Sequence, residues 1–152
     1  MAQGTLLVYN EATQYFADGT IDLDTDDLKW ILVTDSVAGL SQDTAAPKLA
    51  DYTGATTGGN YSGATSLASV TFNRSTAVST LDAADISITS NASNPTNAKT
   101  LILFDETATA TVDAAFAYVD LTTDGGTTAI DLTANNLNVN WNASGILTIT
   151  RS

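Results

Sequence analysis

Asp22, Asp24 and Asp26 alternate in the stretch GTIDLDTDDLK and are followed at once by Asp27. D-x-D-x-D opens a calcium loop, in which alternate carboxylates converge on one hard cation through oxygen ligands. With Asp22 as position 1, the sixth position needs glycine for a sharp turn and the twelfth a bidentate glutamate. Asp27 and Val33 stand there instead, so the stretch fails both tests. Weak calcium binding at Asp24, Asp26, Asp27 or Asp124 stays open, and no structural metal or cofactor is expected.

Other chemistry is scarcer still. Histidine and cysteine are absent, so serine lacks its usual base, and thiolate nucleophiles, thiolate zinc sites and disulfides are excluded. A glycosidase needs two carboxyl groups across a sugar. The available ones, Asp22, Asp24, Asp105, Asp120 and Asp124, fall at turns and strand edges, and glutamate occurs only at Glu11 and Glu106. Thr57-Gly58-Gly59 and Thr123-Asp124-Gly125-Gly126 resemble phosphate cradles in glycine content alone, because neither opens a helix after a strand or continues into Lys-Ser. The reading is a protein that binds and does not catalyse.

Composition narrows the partner. With 17 acidic against 5 basic residues the net charge is -12. Five scattered cations, Lys29, Lys48, Arg74, Lys99 and Arg151, build no stripe for nucleic acid and no patch for anionic lipid. No apolar run nears the ~20 residues of a spanning helix, and MAQGTLLVYN lacks the basic and apolar regions of a secretory signal. Sequons such as Asn142-Ala143-Ser144 are expected by chance in so Asn- and Ser-rich a chain. Charged residues are 14%, against about 25% ordinarily, which implies a hydroxyl- and amide-rich surface.

The elements that carry these residues read as an all-β, antiparallel β-sandwich, jelly-roll-like, in a single domain over 1–152. The pattern predicts a strand at 4–9 and a short helix at 11–18, with Asn10 as N-cap and Gly19 as its stop. Alternation in Thr20 to Asp24 predicts one arm of a hairpin, an aspartate turn at 24–27 and a buried strand at 28–34. Residues 35–66 form a long Gly/Thr/Tyr loop, and a connection of that length is usually functional or disordered. Its Tyr52 and Tyr61 are candidate contact residues, with folding back onto the core as the alternative. Further strands are expected at 67–72, 77–81, 85–89, 99–105 and 114–121, a loop at 91–97, and a C-terminal hairpin of 137–141 with 146–151 across NASG.

The run Asp18-Gly19-Thr20-Ile21-Asp22-Leu23-Asp24-Thr25-Asp26, continued by Leu28-Lys29-Trp30-Ile31-Leu32-Val33-Thr34, resembles a family of small tailed-bacteriophage structural proteins whose N-terminal part reads "DGTIDLDTDTIKVALVT". The similarity continues in register through Gly58 to Ala64, Asp82-Ala83-Ala84-Asp85-Ile86 (a "DADDI" segment), Leu101 to Phe104, Ala117 to Asp120 and Val139 to Thr148. One departure is Asp27, where the family pattern has threonine. The resemblance implies a head decoration, or cement, protein on the outer surface of the virion capsid. It implies the major capsid protein as partner and a homotrimer. Termini and glycine-rich loops can order on contact and add a strand to an exposed edge, so the contacts are expected from Ala2, Gln3, Gly4, Thr5 and Leu6 and from the loop carrying Tyr52 and Tyr61. The alternative is a tail or fibre component that binds host glycans.

Overall fold

A computed structural model describes residues 4–150. Antiparallel strands dominate it, with one short helix. Strand β1 is Leu6–Val8, helix α1 Ala12–Asp18 and β2 Leu28–Val33; β3 (Thr65–Ser66), β4 (Thr71–Ser75), β5 (Val78–Asp82) and β6 (Ile86–Ile88) follow, then β7 (Thr100–Asp105), β8 (Ala114–Asp120), β9 (Leu137–Val139) and β10 (Leu147–Thr150). They form a five-stranded sheet in the order β1-β8-β7-β2-β3, a three-stranded sheet β10-β5-β4 and a pair β6-β9.

The central strands explain their own composition. Every residue of TLILFD and AAFAYVD is buried, as a continuous apolar run requires when both faces of a strand are covered. On one face Phe16 of α1 meets Phe116 edge-on, ring centroids 6.2 Å apart. Between Leu103 and Phe104 the β7-β8 register slips, because Leu103 faces Ala117 while Phe104 faces Ala115. Phe116 is the extra residue of this bulge, and bulges sharpen the local twist.

The helix lies where the 3.6-residue spacing puts it, with Ala12 and Tyr15 buried and Gly19 closing it at φ 76°. Its start differs from expectation. The Asn10 side chain bonds Asp43 and caps nothing, while the Asn10 carbonyl accepts the Thr13 hydroxyl at 2.8 Å.

Two expected hairpins do not form. Ile21 and Leu23 are buried and Asp22 and Asp24 exposed, as the alternation implied, yet residues 20–24 are not a strand. The aspartates close the segment on itself: the Asp22 amide donates to Asp26 Oδ2 at 2.6 Å, the Asp24 amide to Asp22 Oδ1 at 3.0 Å and the Asp26 amide to the Asp22 carbonyl at 3.0 Å. Carboxylates that satisfy nearby amides compete directly with a ladder. At the other end NASG does turn, with Gly145 N–H on the Asn142 carbonyl at 2.8 Å. Its two arms then part: β9 pairs β6, and β10 pairs β5.

Residues 35–66 are an ordered strap. They carry 3-10 turns at Val37–Gly39 and Leu49–Asp51, bridge to β2 through Gly54 and bury Val37, Ala55 and Tyr61.

Candidate partner-binding surface

Among the residues expected at a contact, Ala2 and Gln3 lie outside the described residues. Gly4 and Thr5 lead into β1, which Leu6 opens, and the register of this edge strand with β8 sets Leu6 opposite Val119. The Gly4 amide bonds the Asp120 carbonyl at 2.7 Å and the Tyr9 amide the Phe116 carbonyl at 3.0 Å. Antiparallel pairs alternate between bonded and non-bonded, so Leu7 shares the bonded phase of Tyr9, and Leu6 and Val8 turn their backbone groups away from β8. The Val8 carbonyl is taken by Gln42 Nε2 at 2.7 Å. Leu6 keeps an open edge among the described residues, and open edges accept added strands.

A groove of about 480 Å³ lies beside this strand, lined by Gly4, Leu6, Val119 and Leu121 together with Leu137, Val139 and Trp141. Trp141 is held by its indole N–H on the Ala84 carbonyl at 3.1 Å and by its amide on Asp85 Oδ1 at 2.8 Å. Sequence reading missed this residue as a surface element. Its alternation with asparagines read as a hairpin strand, and only the separation of β9 from β10 places it beside the N-terminal segment.

Of the two tyrosines, Tyr61 is a correction. Tyr61 is 2% exposed, and its hydroxyl accepts the Leu32 amide at 2.9 Å and donates to the Leu32 carbonyl at 3.3 Å. Its ring lies 6.1 Å from that of Trp30. Tyr61 is a core residue that pins the strap to β2, and not a surface contact. Tyr52 is half-buried, and its hydroxyl meets that of Tyr9 at 2.6 Å. Burial, ahead of the nearby Asp51 and Asp35 charges, pushes its phenol up to about 12. Neither tyrosine lines the groove, so the loop and the N-terminal segment do not make one site.

The carboxylates have other work. Asp18, Asp105, Asp120 and Asp131 each accept, on Oδ1, the amide of the threonine two residues on, at 2.7 to 2.9 Å. At Asp105, Asp120 and Asp131 the threonine hydroxyl adds a second bond of 2.6 to 2.8 Å. D-x-T is therefore a repeated turn lock, used at the ends of α1, β7 and β8. Asp105 is 0% exposed. Burial, followed by the facing Asp26 carboxylate and opposed by the Thr107 bonds, raises it to about 6. That range suits an acid catalyst, but no substrate reaches a group without surface. Lys29 neutralises Glu106, and Asp27 at 3.6 Å. No group of three or more carboxylates among the described residues is arranged to hold a metal ion, and no described helix is long and apolar enough to cross a membrane.

Comparison with protein families, with characterised proteins and with solved structures finds no match to this chain.

Proposed function

We propose that the protein is a virion structural protein, a decoration or cement protein that binds the outside of a phage head and stabilises neighbouring capsid subunits. The observation that carries this reading beyond the resemblance is the open β1 edge beside the Trp141 groove. Such an edge binds an extended segment through main-chain hydrogen bonds, and the apolar wall supplies pockets for alternate side chains. The surface offers few cations, so adhesion rests on backbone, apolar and hydroxyl groups. Exposed ion pairs contribute only about 0 to 1 kcal/mol each in any case. The copies sit as trimers at three-fold positions, since symmetric closure is how a small module matches a symmetric lattice.

The test is to delete residues 2–5, and separately to replace Trp141 with alanine, then count copies retained on purified heads at low and high salt. Both changes are expected to strip the protein, and salt alone is not. Full occupancy after both changes overturns this account of adhesion. A few copies at one vertex of the wild-type particle, in place of many on the head lattice, assigns a tail role.

A further inference from the structure

The sheet β10-β5-β4 outruns the core. Its register stacks Phe72, Leu81 and Leu147 in one row. Two residues along, and so on the same face, it stacks Arg74, Ser79 and Ile149. Leu81 in the first row is fully buried, whereas Ile149 in the second is 41% exposed. Two depressions of about 310 Å³ each flank Ile149 and share it. One runs toward the end of α1, floored by Ile21 and Leu23 with Phe16 and Phe72 beside them and Asp22 at its rim. The other runs toward the β4-β5 tip and holds Arg74.

This face has an apolar centre, an exposed carboxylate at one end and an exposed guanidinium at the other. Arg74 Nε donates to the Thr76 carbonyl at 3.2 Å, and among the described residues Arg74 makes no ion pair. We infer that the face is a two-fold contact between two copies of this chain. An axis through Ile149 lays Ile149 on Ile149 of the second copy and sets each Arg74 against the other copy's Asp22. A contact between identical patches must be self-complementary in this way. An acidic segment of another protein would satisfy Arg74 and leave Asp22 facing like charge, whereas a second copy satisfies both ends. The contact goes beyond the proposed function: it needs no capsid and is separate from the three-fold.

Sedimentation over a concentration series tests it. Wild-type protein is expected to pass from monomer to dimer. Arg74→Glu and Asp22→Arg should each raise the dissociation constant about tenfold, as two pairs turn repulsive, and Ile149→Thr should weaken the dimer as well. An equimolar mixture of Arg74→Glu and Asp22→Arg should recover it as a heterodimer, because the two-fold then places opposite charges at both pairs. Replacing Asp22 also removes an acceptor for the Asp24 amide. If that variant is unfolded by circular dichroism, Arg74→Glu and Ile149→Thr decide alone. Wild-type monomer at every concentration, a dimer indifferent to these two changes, or a mixture of folded variants that does not recover overturns the inference. A trimer indifferent to them does so too while leaving the three-fold standing, and loss of head binding with an intact dimer counts only against the proposed function.

Discussion

At the scale of the residue, aspartate does two opposed things in this chain. Exposed Asp18, Asp22, Asp124 and Asp131 are held below the ordinary carboxylate value, mainly by hydrogen bonds from neighbouring Thr and Asp residues. They contribute stability above that value and lose it as pH falls through their folded values. Asp105 is raised from 3.8 to about 6. The folded state therefore binds its proton more tightly than the unfolded chain does, and stability falls as pH rises from 3.8 toward 6. Stability is expected to peak between these regimes. Asp105→Asn, which keeps an acceptor for Thr107 and carries no charge to repel Asp26, should raise Tm at pH 7.5 and change little near pH 4. Equal shifts at both pH values would show that the carboxylate is not the cause. Tyr61→Phe leaves the Leu32 amide without its partner, at a cost of about 1 to 3 kcal/mol in denaturant unfolding. Its alanine variant creates a core cavity as well, so Tyr61→Ala reports on folding and says nothing of adhesion.

At the scale of the element, the ladder is decided by long-range partners. Gly145 shows how tightly: φ is 91°, and a Cβ there would stand 2.4 Å from Thr80 Cγ2 and 2.6 Å from the Leu81 carbonyl oxygen. Gly145→Ala combines a left-handed backbone with a clash against β5. It should cost more than the about 1 to 3 kcal/mol of backbone strain alone and loosen β10 first. Hydrogen exchange checks this, with protection lost in Leu147–Thr150 and kept in β7 and β8. In the unaltered protein β7 and β8 should exchange slowest, being buried along their whole length, and β4 and β10, largely exposed, should exchange early.

At the scale of the whole molecule, much of the acidic excess sits in turn locks, and among the described residues no three carboxylates gather to hold a metal ion. Chelation should therefore leave the melting temperature unchanged, because an ion bound only by the native state would raise it by mass action. A drop of several degrees in EDTA, restored by calcium, would reveal a site in the aspartate loop. Composition and period alone established the all-β class, α1 with its glycine stop, and the buried strands β2, β7 and β8. These features are local: a 3.6-residue repeat, a glycine that tolerates positive φ and an apolar run each act within a few residues. Pairing was not legible. Leu137 to Trp141 alternates like a hairpin arm, yet which edge it meets depends on strands 50 residues away in sequence, since Ile86 and Ile88 are its neighbours. The same holds for the candidate surface. Sequence marked Leu6 as a contact and left Trp141 in a hairpin, while the groove between them exists only because β1 joins β8 and β9 does not join β10. Tyr61 looked like a loop residue because its hydroxyl's partner, the Leu32 backbone, carries no signature in any side chain; only tertiary packing turns that ring inward.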